Sequence, residues 1–384
     1  MDTLYSEEER LLYSTMREFA DRELAPLAAR WDENEEFPWA SIDTLKAMGL
    51  MGMTVPAEYG GAGASYSELC IASEEIARAC MTTSTTHLTH VSLGSATIIG
   101  FGSPAQRQRF LPALASGEKL AAFGLTEPSS GSDASDMQTM ATRKGDDYVL
   151  NGSKIFITNG HEADLMVVFT STDRNLGAKG TAVFVVERGT KGFETRPMHG
   201  KMGIRGSGTA EVLFNDCAVP AANRLGEEGD GFRIAMTIID SSRISLATQS
   251  VGLAQAAFDA AVRYVQQRET FGKPLKERQA IQFMLADMAT QIDAARLLTR
   301  RSAQLKDAGL GHNRESAMAK LYASEAAHFC VDRAVQIFGG YGYFRENPVE
   351  RFYRDQRVTE IYEGTSEVQR IVIARSLLQE FAIE

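Results

Sequence analysis

No stretch of about 18 uncharged apolar residues occurs in the chain, so the sequence offers no membrane span. Positive charge is in deficit: 40 Lys and Arg face 50 Asp and Glu. The resulting net charge of -10 excludes a general nucleic-acid binder, because holding phosphates takes an excess of basic residues. A small anionic ligand held by a few local arginines stays compatible with it. Cysteine is scarce, and Cys70, Cys80, Cys217 and Cys330 lack paired spacing, which argues for free thiols in a reducing compartment. The scattered histidines form no HExxH or CxxC…H pattern, so no metal site is expected. The opening stretch MDTLYSEEERLLYSTMREF is acidic and amphipathic, unlike a secretory signal or an arginine-rich transit peptide. The expectation is a cytoplasmic protein.

What the chain does have is length and apolar content. Its 384 residues, 44% of them hydrophobic, are enough for two or three domains with their own cores. The division read from the pattern is a helical domain over 1–120, a β domain over 121–230 and a helical bundle over 231–384. Ser6 and Glu9 have capping-box spacing ahead of a stripe of Leu12, Met16, Phe19 and Ala20. A further helix is predicted over Ser67–Met81. After Gly124 short β-prone runs bounded by Gly, Asp or Pro take over, and Asn151-Gly152 predicts a hairpin turn. The set closes as a barrel or a sandwich. From Gly231 onward helical spacing returns, with Ile281, Leu285, Met288, Ile292 and Ala295 on one stripe and Met318, Leu321, Glu325 and Phe329 on another. Long amphipathic helices joined by short loops point to a four-helix bundle.

Five stretches could carry chemistry, and each has an ordinary structural explanation. AFGLTEPSSGSDAS (Ala122–Ser135) offers close-approach amides for a ring or phosphate, yet Pro, Ser and Gly are also routine in a linker. KIFITNG (Lys154–Gly160) is either a plain strand or one that ends on Thr158 beside the flat face of Phe156. RETFGKPLKERQ (Arg268–Gln279) reads as a helix-to-helix turn, with Arg268 able to reach a pyrophosphate. QIFGGYGYFRENPVERFYRD (Gln336–Asp355) contains Gly339-Gly340-x-Gly342, but no strand precedes it, so a Rossmann reading fails and helix termination is preferred. YEGTS places Glu363 between Tyr362 and Gly364, where it is surface charge, a cap or a base. Arg351, Arg354, Arg357, Arg370 and Arg375 surround it in sequence. KMGIRGSG (Lys201–Gly208) reads only as a turn region, and His87 and His90 read as structural.

Together and in this order, these stretches resemble the acyl-CoA dehydrogenase family over essentially the whole chain. LTEPSSGSD is similar to its first signature and QIFGGYGYFRENPVERFYRD to its second, while FITNG, RETFGKPL and YEGTS fall where the family places its flavin and base segments. The resemblance implies an α+β flavoenzyme with an N-terminal helical, a middle β and a C-terminal four-helix domain, assembled as a homotetramer around FAD. By motif, Phe123, Leu125, Thr126, Gly131 and Ser132 would line the flavin and the thioester end of the substrate. Phe156, Ile157 and Thr158 would cover the flavin ring. Arg268, Phe271 and Gln279, with Gln336, Ile337, Gly339 and Gly340, would hold pyrophosphate and adenosine, partly across a subunit interface. Thr365, Ser366 and Glu367 would complete the flavin contacts. Asp240 and Arg243 match the substrate-side D-x-x-R, and Ser132 and Gly364 would also meet the substrate.

The same resemblance makes Glu363 the base that removes the α-proton of an acyl-CoA while the β-hydrogen leaves as hydride. It implies a trans-2-enoyl-CoA product and an electron-transferring flavoprotein as acceptor. Its carbonyl donors would be a flavin ribityl hydroxyl and the base's own backbone N–H. Family branches that put the base on the first bundle helix would place it at Ser242, which cannot act as one. Phe156 stands where many relatives have tryptophan, and Ser129-Ser130 replaces a smaller pair. The competing readings are an acyl-CoA oxidase, a branch acting on a non-standard thioester, and a flavin-binding member without catalysis.

Overall fold

A computed structural model describes residues 5–381, so the first four residues of the acidic N-terminal stretch lie outside the described residues. The first helix, α1 (Glu7–Phe19), starts on the expected capping box: Glu9 N–H donates to Ser6 Oγ at 3.1 Å and Ser6 N–H to Glu9 Oε2 at 2.8 Å. Met16, Phe19 and Ala20 are buried. There follow α2 (Ala28–Glu33), α3 (Trp39–Ala47), α4 (Tyr66–Ala79), α5 (Met81–Leu88), α6 (Ala96–Phe101) and α7 (Pro104–Ala115). The helix expected over Ser67–Met81 is α4, and it ends because Cys80 is extended at φ -153° before α5 begins. Glu74 and Glu75 of α4 are buried against Arg296 at 2.8 Å and Arg78 at 2.5 Å, so their burial comes with partners.

Eight strands follow: β1 (Ala121–Gly124), β2 (Met140–Lys144), β3 (Asp147–Thr158), β4 (Leu165–Ser171), β5 (Thr181–Glu187), β6 (Phe193–Pro197), β7 (Thr209–Pro220) and β8 (Arg224–Leu225). Their order is β6-β7-β3-β2-β4-β5-β8, with β1 parallel to β4. Tyr148 of β3 packs on Phe184 of β5 at 4.8 Å between ring centroids, although these strands are not hydrogen-bonded neighbours. The sheet therefore folds over on itself around one core. Strands β4 and β5 are buried on both faces. Met166, Val168, Phe184 and Val186 face that core, while Leu165, Val167, Val183 and Val185 face Phe110, Leu111 and Leu114 of α7. Double-sided burial explains why they read as continuous apolar runs.

The hairpin turn expected at Asn151-Gly152 is not there. Both residues lie inside β3, and the turn between β2 and β3 falls at Gly145-Asp146, where Gly145 has φ +65°. Gly152 serves a different need: a Cβ on it would sit 2.6 Å from Thr139 Cα, and the β3–β7 register shifts beside it.

The C-terminal part is α8 (Gly231–Gln267), α9 (Gln279–Asp307), α10 (Asn313–Phe338), α11 (Val349–Gln356) and α12 (Ser366–Glu380). Arg268–Gln279 is more than a turn: β9 (Glu269–Thr270) and β10 (Lys273–Pro274) form a small hairpin across Phe271 and Gly272, whose φ values of 51° and 70° suit a type I′ turn. The stripe of Met318, Leu321, Glu325 and Phe329 also needs correction. The helix is present, but its buried face carries Ala319, Ala323, Ala327, Cys330 and Ala334, packed with Ala247, Ala254, Ala257 and Ala261 of α8. Small side chains let two long helices approach closely, and counting bulky residues alone picked the wrong face.

Candidate active site

Glu363 lies in the turn between α11 and α12, and its backbone is held in the left-handed region at φ 53°, with Gly364 next at φ 92°. Thr365 caps α12 by accepting from Val368 N–H, so the chain must reverse sharply just before it. Gly364 O accepts from Lys320 Nζ at 2.7 Å and from Gln369 Nε2 at 2.9 Å. The turn thereby aims the half-buried Glu363 carboxyl at α8. There Ser242 Oγ donates to Glu363 Oε2 at 2.5 Å. The serine at the alternative base position thus touches the carboxylate itself.

Burial raises the Glu363 carboxyl above the ordinary carboxylate range, and the Ser242 bond and the charges of Lys320 and Arg243 oppose that rise. Arg243 is itself buried and paired with Asp240 at 2.7 Å, while Asp240 also accepts from Asn313 Nδ2 at 2.6 Å. The arginines that flank Glu363 in sequence do other work. Arg354 binds Asp32 and Glu350, Arg357 binds Glu360, and Arg370 binds Glu325. Next to Glu363, Tyr362 donates its hydroxyl to Gln249 Oε1, and Gln249 Nε2 donates to Thr85 Oγ1 at 2.8 Å. The two histidines are structural as expected: His87 Nε2 meets Leu50 O at 2.9 Å and His90 Nε2 meets Leu114 O at 3.1 Å, both wholly buried.

The residues singled out in the β domain sit at one end of its sheet. Leu125 O accepts from Lys154 Nζ at 3.1 Å, and Thr126 O from Ile155 N–H at 3.0 Å. Lys154 is wholly buried in an ion pair with Glu127 at 2.7 Å, which ties the LTEPSSGSD loop to β3. Gly131 and Ser132 are exposed, and Phe123 packs on Phe169 at 4.7 Å. A register shift between Lys154 and Ile157 leaves Phe156 at φ 59° and 63% exposed, while the Ile157 side chain turns into the core. Only the backbone of Ile157 is left to face a ligand.

Arg268, Gln336, Ile337, Gly339 and Gly340 line one cavity of about 710 Å³, with Tyr341 stacked under the Arg268 guanidinium at 5.4 Å. Phe271, at the hairpin tip, is 97% exposed, and Gln279 opens α9. Gly339 ends α10 at φ 60° and leads into a short 3-10 turn, as helix termination requires. An arginine over open glycine backbone fits a diphosphate, and an outward-turned aromatic fits a flat ring, so the residues present suit FAD. Around Glu363, Arg243 Nε and Ser366 Oγ are buried without a partner among the described residues, as the residues of a polar ligand site would be.

The chain matches the models described as acyl-CoA dehydrogenase N-terminal domain over residues 6–118, middle domain over 122–217 and C-terminal domain over 229–378. This chain belongs to the acyl-CoA dehydrogenase family. It is an FAD-dependent oxidoreductase that dehydrogenates an acyl-CoA thioester. Over 375 residues it is 48% identical to the mitochondrial short-chain specific acyl-CoA dehydrogenase of Mus musculus, covering 98% of this chain and 91% of that one. Butyryl-CoA dehydrogenase from Megasphaera elsdenii superposes with a TM-score of 0.95 at 44% identity, covering 98% of this chain and all of that one. A chain from a structure of the electron transferring flavoprotein of Acidaminococcus fermentans gives a TM-score of 0.96 at 45% identity, covering 99% of this chain and 100% of that one.

Sequence reasoning missed Lys320, Gln249 and the Tyr362 hydroxyl. Lys320 had a signal: it interrupts the small-residue face of α10, one position from Ala319 and three from Ala323. A charge set in such a face is either an error of phase or a buried cation with a task.

Proposed function

We propose that the chain oxidises a short-chain acyl-CoA to its trans-2-enoyl-CoA with Glu363 as the base, and passes the electrons to an electron-transferring flavoprotein. The observation that carries this reading is the Glu363 carboxyl, held at Oε2 by Ser242 at 2.5 Å and raised above its ordinary range by burial. A thioester α-C–H is a weak acid, so a carboxylate of raised basicity is better matched to it. With Oε2 engaged by Ser242, Oε1 is the atom that takes the proton. Bound FAD supplies the acceptor for the β-hydrogen. Phe156, Thr158, Leu125, Thr126, Gly131 and the Thr365–Glu367 turn hold the ring, and Ser132, Asp240, Arg243 and Gly364 meet the substrate.

The short acyl chain follows from the Tyr362–Gln249–Thr85 bridge. Gln249 stands two helical turns along α8 from Ser242, on the same face, so a polar barrier closes the space beyond the base. The name of the Mus musculus relative supports the same length class. Distance calls for a neighbouring copy, and the homotetramer that the family resemblance implies supplies one. At 1.5 Å of rise per residue, Arg268 lies roughly 38 Å along α8 from Arg243, farther than an extended FAD reaches, so the Arg268 cavity serves the flavin of a neighbouring copy. The domain division at 120/121 and 230/231 belongs to the same reading. So does a cytoplasmic location, which the free cysteines suit; no described helix is long and apolar enough to cross a membrane.

Anaerobic mixing of the yellow protein with butyryl-CoA tests the reaction, with loss of flavin absorbance as the expected result. Glu363→Gln should keep the colour and lose turnover by about 10²–10⁴-fold. Undiminished bleaching in that variant refutes the base. Peroxide release without an added acceptor refutes the flavoprotein partner and marks an oxidase.

A further inference from the structure

Lys320 belongs to none of the sequence motifs, and the reaction as described gives it no part. It is nevertheless among the largest wholly buried side chains of the molecule. Burying an ammonium is unfavourable unless it is paired, and buried lysines ordinarily find a carboxylate. Among the described residues Lys320 has no ion pair, and its hydrogen bond goes to a backbone carbonyl, Gly364 O, at 2.7 Å. That carbonyl closes the turn in which Glu363 and Gly364 both have positive φ, an arrangement that a glutamate keeps only when its surroundings impose it.

The groups that face the Glu363 carboxyl come from several elements. Ser242 of α8 donates to it, the charges of Arg243 of α8 and Lys320 of α10 act on it, and it acts in turn on the phenols of Tyr66 of α4 and Tyr362 of the turn, whose hydroxyls bond elsewhere. Both phenols are pushed up by burial and stay neutral. Arg243 has its own counter-ion in Asp240. Glu360 and Glu367 act on Lys320 after Glu363 does, and Arg243 acts on it in the opposite sense. Among the described residues Glu363 and Lys320 are thus an acid and a cation that have no ion pair, and each acts on the other's charge through space.

We propose that Lys320 is a positioning residue for the base: its ammonium pins the turn that carries the carboxylate and supplies that carboxylate's counter-charge from α10. The assignment rests on Glu363 being the base, and it goes beyond that reading by naming what holds the base in place and in charge. Burial drives Lys320 down to about 8, with the Glu363 charge the main opposing influence, so the two groups report on each other.

The experiment compares wild type, Lys320→Met, Lys320→Gln and Glu363→Gln as flavin-loaded proteins, following kcat/KM for butyryl-CoA against pH. Loss of the cation favours protonated Glu363. The acid limb of the Lys320→Met profile should therefore move to higher pH by about one unit, which is about a tenfold loss on that limb. Lys320→Gln, which keeps a neutral donor but no charge, should shift in the same direction with a smaller fall in kcat. An acid limb that stays at the wild-type pH in a flavin-loaded Met or Gln variant overturns the proposal, whatever happens to thermal stability. Failure of both variants to fold marks the lysine as structural and also overturns it. If Glu363→Gln retains turnover, it is the base assignment that fails; if that variant is inactive while the lysine variants keep the wild-type profile, the lysine assignment alone fails.

Discussion

Ser242→Ala is the most informative single substitution. The Ser242 hydroxyl lies 2.5 Å from Glu363 Oε2 and 3.1 Å from Ile239 O, and its one proton goes to the shorter, charged contact. A hydrogen bond to an ionised group contributes roughly 1.5–3 kcal/mol. One pKa unit corresponds to about 1.36 kcal/mol. Removing a donor that favours the carboxylate form should therefore raise the Glu363 pKa further, by about one to two units. The sign is definite: the Glu363 carboxyl becomes protonated at a pH where the wild type is ionised, so, on the proposed role of Glu363, activity is lost on the acid side and the high-pH plateau is retained. Stopped-flow reduction of the bound flavin by butyryl-CoA, recorded from acidic to mildly alkaline pH, reads that limb directly. An acid limb that stays in place, or moves down, would refute the reasoning even if the variant were slower throughout. A plateau that collapsed with the limb would mean that Ser242 acts on geometry instead of charge.

Further predictions follow from other parts of the molecule. Gln249→Ala removes the polar bridge from Tyr362 to Thr85 and should raise the ratio of kcat/KM for octanoyl-CoA over butyryl-CoA by about tenfold or more, at about 1.4 kcal/mol per tenfold; an unchanged ratio assigns the length limit elsewhere. Arg268→Ala should weaken FAD retention on gel filtration and shift the oligomer toward smaller species, whereas a fully flavinated, unshifted protein would contradict the cavity's role. Asp355, pushed up to about 6 by burial, is an acid whose proton is held more tightly in the folded state. Its stabilising influence is complete below the unfolded pKa and is lost as pH rises through about 6. Asp355→Asn should then stabilise the protein at neutral pH by up to about 3 kcal/mol and make little difference near pH 4, as read from denaturant midpoints.

The order of helices, strands and helices was legible because each part keeps one period over many residues. The capping box at Ser6 and Glu9 marked α1 to the residue. Local signals failed where a tertiary demand outweighed them. Asn151-Gly152 has the composition of a turn but lies inside β3, because Thr139 on the neighbouring segment leaves no room for a side chain at Gly152. On α10 the face with the larger residues lost to the alanine face, since close packing of two long helices rewards small side chains. Phe271-Gly272 looked like a break between helices and proved to be the tip of a hairpin.

At the site, the chain alone determined which chemistry was available: one acid in YEGTS, an aromatic in FITNG, and an arginine before a glycine-containing tip. Those identities are covalent facts, and they are readable in order because the motifs are contiguous. Which groups govern the acid was decided only by folding. The five arginines nearest Glu363 in sequence lie elsewhere or bind other acids, while Ser242, Arg243 and Lys320 arrive from helices that begin well over a hundred and some fifty residues upstream. Electrostatic influence depends on distance through space and on burial, and neither quantity is written along the chain.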